Sequence, residues 1–221
     1  YDSHELWSDC WIRGRLQKIV IRTVERYLLP KASSVITVNE SIAVILAKRY
    51  GIGKPVVVAN FPIFRPLDAD TILRSTLRIP DGKPIVIYAG AIKQDRGIRN
   101  IHDAARQMPD VEFVMMGNGK LDAGAGGLPN LHHVPAVPQA DVIRWLSSAT
   151  VGIHPMLNTE PNQYNSLGNK IGDYIMAGLP IAVSDFPEMR RLAVNDGLGT
   201  VFDPGESRTV VRALKELLET G

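Results

Sequence analysis

The stretch Gly168-Asn169-Lys170-Ile171-Gly172-Asp173-Tyr174 holds the residue types and spacing best suited to chemistry. It follows a short apolar run, Val151-Gly152-Ile153, then His154-Pro155 and a polar loop over 158–166. A helix opening at Gly168 and Asn169 would turn its first N–H groups outward, since they have no partner inside the helix. A phosphate placed there gains roughly 0.3–2 kcal/mol from the helix dipole, besides direct hydrogen bonds. Lys170 adds a cation. Asp173 falls one turn further on the same face, three residues from Lys170. A carboxylate in that place can accept two hydroxyls of a ribose. The alternative is a Lys–Asp pair at the surface, which stabilises little.

Two further segments invite the same question. After the run 85–88 comes Ala89-Gly90-Ala91-Ile92-Lys93-Gln94-Asp95-Arg96-Gly97. Small residues let backbone approach a ligand, and Lys93 and Arg96 bring the positive charge that a diphosphate needs. The alternative is an ordinary strand-to-helix turn with two exposed cations. After the run 111–116 comes Gly117-Asn118-Gly119-Lys120, the start of a dinucleotide fingerprint whose third glycine is missing. NAD binding is therefore rejected, and a tight turn near a ligand is expected instead. Asp68-Ala69-Asp70 has the spelling of a metal-binding motif, but its place before a helix reads as an N-cap. No metal site is expected.

These residues need a frame. Short apolar runs at 35–38, 56–58, 85–88, 111–116, 151–153, 180–183 and 200–202 carry the strand signal. Between them, apolar residues recur at helical spacing, as in Ile98, Ile101, Ala105 and Met108, or Val210, Leu214, Leu217 and Leu218. Alternating strands and helices with continuous apolar strands imply a parallel sheet covered on both faces, hence a doubly wound α/β fold. Such folds bind ligands at the carboxyl ends of their strands, where the segments above lie. The run Asn60-Phe61-Pro62-Ile63-Phe64-Arg65-Pro66 fits neither period and reads as a linker. Before it stand a helix at about 10–29, a strand, a helix at about 40–50 and a strand; after it about six strand–helix units follow. The division is placed at 1–59 and 60–221.

Composition narrows the classes. A net charge of +2 gives no global field for nucleic acid. The single cysteine, Cys10, can build neither a disulfide framework nor a cysteine zinc cluster, which fits a reducing compartment. No apolar stretch approaches the roughly 20 residues of a membrane span. The opening Tyr1-Asp2-Ser3-His4-Glu5 is not a signal peptide, and a strand is expected to end at residue 1, so that an earlier part of a longer protein is missing. The first helix carries Arg13, Arg15, Lys18, Arg22 and Arg26. A basic amphipathic helix can lie on an anionic membrane surface, though a solvated helix face has the same composition.

The run Asn169-Lys170-x-x-Asp173-Tyr174-x-x-Ala177-Gly178-x-Pro180, then Ser184-Asp185-x-Pro187-Glu188-x-Arg190, resembles glycosyltransferase family 4, and within it the branch that includes capsular-polysaccharide enzymes. Tyr1-Asp2-Ser3-His4-Glu5, Ile36-Thr37-Val38-Asn39, Tyr88-Ala89-Gly90, Arg96-Gly97, Gly117-Asn118-Gly119 and Phe202-Asp203-Pro204 extend the resemblance along most of the chain. It implies a GT-B fold: a Rossmann-like donor-binding domain at 60–221, preceded by the C-terminal part of a second Rossmann-like, acceptor-binding domain. The family shows two glutamates with seven residues between them, the spacing of Asn165 and Asp173 here. The second contacts the ribose, so Asp173 inherits that role with a side chain one methylene shorter. The first contacts the donor sugar; Asn165 stands in its place, with Asn162 as a related polar group. Backbone at Leu167, Gly168 and Asn169 matches the segment that caps the diphosphate, and Ala136 and Val137 match the edge that reads the base. The family's two phosphate cations fall on Ala91 and Arg96, so one is lost and one exchanged. Losing a charge-assisted hydrogen bond costs roughly 1.5–3 kcal/mol, so Lys93 or Lys170 is expected to compensate. His4 lies where the family places a histidine facing the donor sugar and phosphate.

The implied reaction moves a sugar from a nucleoside-diphosphate sugar to an acceptor hydroxyl, with retention and without a metal. Negative charge grows on the leaving diphosphate, and Arg96, Lys93, Lys170 and the helix start at Gly168 would stabilise it. A sugar-nucleotide epimerase on the same scaffold would want a carboxylate cluster for proton abstraction, and Asn165 counts against it. A non-catalytic nucleotide-binding module is the other alternative, suggested by Ala91, Asn165 and Asp173. The acceptor, a sugar or a lipid-linked glycan, is not legible. The expected place is the cytoplasm, with a peripheral contact at the inner membrane face. By itself this chain is expected to bind nucleotide but to turn over poorly.

Overall fold

The computed structural model describes residues 1–10, 14–63, 69–93, 96–119 and 127–220. They form two compact units. One comprises Tyr1–Asn60, Asn158–Leu167 and Phe186–Glu188; the other comprises Phe61–Leu157, Gly168–Asp185 and Met189–Gly221.

The first unit has a three-stranded parallel sheet of β1 (Asp2–Ser3), β2 (Ile36–Thr37) and β3 (Val56–Val57), in that order. α1 (Arg15–Leu28) and α2 (Glu40–Tyr50) connect the strands. α2 begins where Asn39 accepts a hydrogen bond from the Ile42 N–H at 2.9 Å, and ends at Gly51, whose φ of 64° suits a residue without Cβ. Leu6, Leu29, Ile42, Leu46 and Tyr50 form its core. Within that core the Glu25 carboxylate accepts from the hydroxyls of Tyr1 and Tyr50. Burial and then that bond push the Tyr50 phenol up to about 12. The first helix begins later than its composition suggests. A single 3-10 turn occupies Trp7–Asp9, Cys10 is extended, and Gly14 stands at the N-cap with its N–H donated to Gln17 Oε1. Arg13 lies outside the described residues. The strand expected to end at residue 1 instead pairs through Asp2 and Ser3. α6 (Pro161–Tyr164) also belongs to this unit, and α8 (Pro187–Arg190) straddles the division.

The second unit is built on six parallel strands in the order β6-β5-β4-β7-β8-β9. They are β4 (Ile85–Ala89), β5 (Glu112–Met116), β6 (Leu131–Val134), β7 (Val151–His154), β8 (Ile181–Ser184) and β9 (Gly199–Phe202). Its helices are α3 (Ile72–Leu77), α4 (Ile98–Gln107), α5 (Val142–Leu146), α7 (Asn169–Met176) and α9 (Ser207–Thr220). Alternate residues of neighbouring strands, such as Val86, Tyr88, Phe113, Met115, Val151 and Ile153, share one core with Ile101 and Ala105 of α4 and Val210 and Leu214 of α9. This is the doubly wound α/β arrangement expected, with the order reversing between β4 and β7. β6 was not among the apolar runs. It is an edge strand whose middle residues are His132 and His133, and His132 lies 2.7 Å from the buried Glu112 carboxylate. Burial raises that carboxyl, but hydrogen bonds from His132 and Lys83 outweigh it and hold it below the ordinary range.

Candidate nucleotide-binding site

Where the strand order reverses, the carboxyl ends of β4 and β7 lie side by side, and this is where doubly wound sheets bind ligands. α7 is fastened to both. The Tyr174 hydroxyl accepts from the Ala89 N–H at 2.8 Å and donates to the Ile153 carbonyl at 3.1 Å. Its fully buried ring fills the space above Gly152, where a Cβ would stand 2.6 Å from the ring. Burial pushes this phenol far up, so it remains a hydroxyl.

The helix so placed starts as its sequence implies. Gly168 is the N-cap of α7 and its carbonyl accepts from Ile171 at 2.9 Å. N–H groups of a helix's first turn lie outside its own hydrogen-bond ladder and favour an anion. One turn in, Lys170 Nζ is 2.9 Å from Asp173 Oδ2. The pair is more buried than a surface contact: the Asp173 side chain is only 7% exposed. Both sequence readings therefore meet in one geometry, a carboxylate held one turn below the helix start with a cation beside it.

Arg96 comes from the turn after β4. Gly97 makes this possible: its φ is 67°, and a Cβ on it would run into the Pro155 carbonyl. Gly97 thus packs on the chain leaving β7, and Arg96 Nη1 is 3.3 Å from Met156 Sδ. Lys93 is exposed and its carbonyl accepts from the Arg96 N–H. Gly90 and Gly117 extend the strand ladders, donating to Met116 and Val134 carbonyls at 2.9 Å, and Gly119 bridges to Ile92. His133 Nε2 is 2.9 Å from the Gly117 carbonyl and ties down this turn. Ala136, exposed, and Val137, half-buried, follow β6. Lys120 lies outside the described residues.

The remaining candidates belong to the first unit. His4 is exposed after β1, 3.1 Å from Asp2 Oδ2. Asn162 is buried, and its Oδ1 accepts the Leu6 N–H at 2.8 Å. Asn165 donates to Pro161 O at 2.7 Å and its carbonyl accepts from Asn39 Nδ2 at 2.9 Å. Leu167 ends this segment, half-buried. Both asparagines thus have structural bonds that composition does not reveal.

His154 received no role from the sequence. It ends β7, is 6% exposed, and lies against Gly168. Burial, and then the nearby Arg96 charge, lower its pKa to about 4, so the ring is neutral at physiological pH. The available signal was a polar residue closing an apolar strand at a strand's carboxyl end. Asp70 stands one residue before Thr71, the N-cap of α3, rather than at the cap itself: its Oδ1 accepts from the Thr71 and Ile72 N–H groups, and Arg144 pairs with its other oxygen at 2.6 Å, while Asp68 lies outside the described residues. Among the described residues, no three His, Cys, Asp or Glu side chains gather as a metal site would require. No described helix is long and apolar enough to cross a membrane.

Comparison with known proteins decides the family. Residues 83–220 match the family described as glycosyl transferases group 1. The chain belongs to the group 1 glycosyl transferases. It is 21% identical over 223 residues to a 2-deoxystreptamine glucosyltransferase of Streptomyces kanamyceticus, an alignment covering 93% of this chain and 56% of the relative. Among solved structures, sucrose-phosphate synthase of Thermosynechococcus elongatus superposes with a TM-score of 0.74 at 17% identity, over 94% of this chain and 55% of that one. HepE of Anabaena, solved with UDP, gives 0.77 at 17% identity, over 99% and 62%. The group 1 fold here is of the GT-B type. The chain spans little more than half the length of these relatives.

Proposed function

We propose that this group 1 chain is the donor-binding part of a glycosyltransferase that moves a sugar from a nucleoside-diphosphate sugar to an acceptor hydroxyl, with retention and without a metal. The observation that carries the reading is the junction of β4, β7 and α7. There a helix start, the Arg96 turn and the Lys170–Asp173 pair occupy one end of one sheet. In this reading the diphosphate lies at the start of α7, Asp173 accepts the ribose hydroxyls, and Ala136 and Val137 border the base. Gly117 and Gly119 let the turn after β5 pack on the backbone at Gly90 and Ile92 beside the donor, and Lys93 reaches the donor from the exposed turn. The UDP found in HepE supports UDP as the first nucleotide to test.

The chemistry follows from charge. As the sugar–oxygen bond breaks, negative charge accumulates on the leaving diphosphate. Donors fixed beforehand stabilise that charge without reorganising. Arg96, Lys170 and the first turn of α7 perform this work, and Lys93 stands where it can replace the cation absent at Ala91. His4, Asn162, Asn165 and Leu167 enter through the family pattern alone.

α1 supports a peripheral membrane contact. Leu16, Val20 and Tyr27 on one side of it are 74%, 52% and 65% exposed, beside Arg15, Arg22 and Arg26. An apolar face next to basic residues suits an anionic bilayer surface.

Calorimetric titration with UDP, GDP and ADP tests the donor site. One nucleotide is expected to bind, and Asp173→Ala and Arg96→Ala each to weaken it. Binding unaffected by both substitutions would place the nucleotide elsewhere.

A further inference from the structure

One polar side chain of the second unit has no task in that scheme. Neither ring nitrogen of His154 has a hydrogen-bond partner among the described residues. A buried polar group left so costs about 1–3 kcal/mol. Native structures leave few such groups without a partner of some kind, whether protein, water or ligand. A neutral imidazole offers one N–H donor and one acceptor.

The direction in which the ring points is informative. A Cβ at 168 would stand 2.4 Å from Nε2, 2.9 Å from Cε1 and 3.2 Å from Cδ2, so the Nε2 edge of the ring faces that position. The φ of Gly168 is −60°, which any residue can adopt, so the backbone does not require glycine here. What requires it is the imidazole. Gly168 is also the residue from which the eight residues of α7 start, with no side-chain cap. Ring edge and helix start therefore meet at the one position that has no side chain to separate them.

We propose that His154 is a binding residue for the donor diphosphate, its Nε2–H passing the bare α-carbon of Gly168 to a phosphate oxygen at the start of α7. The proposal rests on the donor-site reading above. Arg96 and Lys170 supply charge, while the neutral imidazole supplies a directed hydrogen bond and adds no further cation beside Arg96. A phosphate oxygen gives the ring the partner that the described residues do not.

The test compares a nucleoside diphosphate with its nucleoside on the full chain near neutral pH. UDP and uridine come first, then the GDP and ADP pairs. His154→Leu is expected to weaken the diphosphate about tenfold and to leave the nucleoside unchanged. His154→Gln, which keeps an N–H donor, should stay within about threefold of the wild type. His154→Leu removes a buried polar group, so its melting temperature should not fall, and a melt reports this independently. Equal weakening of diphosphate and nucleoside would make the ring a structural support, and an unchanged diphosphate affinity would remove it from the site; either overturns the proposal alone. If no diphosphate binds the wild type, the donor-site reading fails and this proposal with it.

Discussion

His154 Nε2 and the α-carbon of Gly168 are packed so closely that no methyl group fits between them. Gly168→Ala should therefore destabilise the chain by about 1–3 kcal/mol, the usual cost of overpacking. Adding His154→Ala to Gly168→Ala should recover most of that loss. Urea unfolding of the two single variants and the double variant measures the coupling. Additive losses would mean that the clash is relieved elsewhere.

The same histidine sets a pH dependence. Its folded pKa is about 4, against about 6.5 for a free imidazole. The unfolded chain therefore takes up a proton first as pH falls. Above about 6.5 the neutral ring carries no protonation penalty; stability is lost as pH falls from about 6.5 to 4, by on the order of 3 kcal/mol in total. His154→Leu should show a shallower fall in stability across that window. Glu112 and Asp9 have lowered carboxyls and contribute acid sensitivity of their own, so the difference between the two proteins is the quantity to measure.

Tyr174→Phe leaves the Ala89 N–H and the Ile153 carbonyl without their hydroxyl partner. A loss of about 1–3 kcal/mol in denaturant unfolding is expected, because both groups lie in buried strands. The substitution also loosens α7 from β4 and β7, so nucleotide affinity should fall although no contact with nucleotide is removed.

Lys170 and Asp173 should separate under substitution despite their ion pair. Asp173→Asn is expected to weaken nucleoside and nucleoside diphosphate alike, by roughly 1.5–3 kcal/mol. Lys170→Met should weaken only the diphosphate. Identical profiles for the two variants would mean that the pair acts only as a structural contact.

Binding to vesicles tests α1. With anionic lipid, the chain should co-sediment, and Leu16→Glu with Val20→Glu should abolish this; neutral vesicles should bind less. Equal retention by neutral and anionic vesicles would argue against a role for the basic residues.

Much of this architecture was legible because buried parallel strands are uninterrupted apolar runs. β4, β5, β7 and β8 announce themselves that way, and Gly168 to Asp173 lie on a helix start as their spacing implies. β6 escaped because an edge strand can carry polar residues, here His132 and His133. β1 escaped because two residues carry no period. His154 was passed over for a different reason. A histidine after an apolar run has the same appearance whether its nitrogens are satisfied or not, and that difference exists only in three dimensions. The ties of 158–167 to the first unit depend on Leu6 and Asn39, 156 and 126 positions away from their partners, and no local pattern reports them.

That last feature bears on how such enzymes can be recombined. The chain passes between its two units after residues 60, 157, 167, 185 and 188. A chimera cut once at the linker would bring a foreign 158–167 segment to this first unit. Unless the donor sequence carries a side-chain acceptor at 162, the buried Leu6 N–H is orphaned, whereas Asn39 meets only a backbone carbonyl at 165 and tolerates any residue there. Exchange of everything after residue 60 is therefore constrained less by the crossover point than by one amide side chain about a hundred residues beyond it.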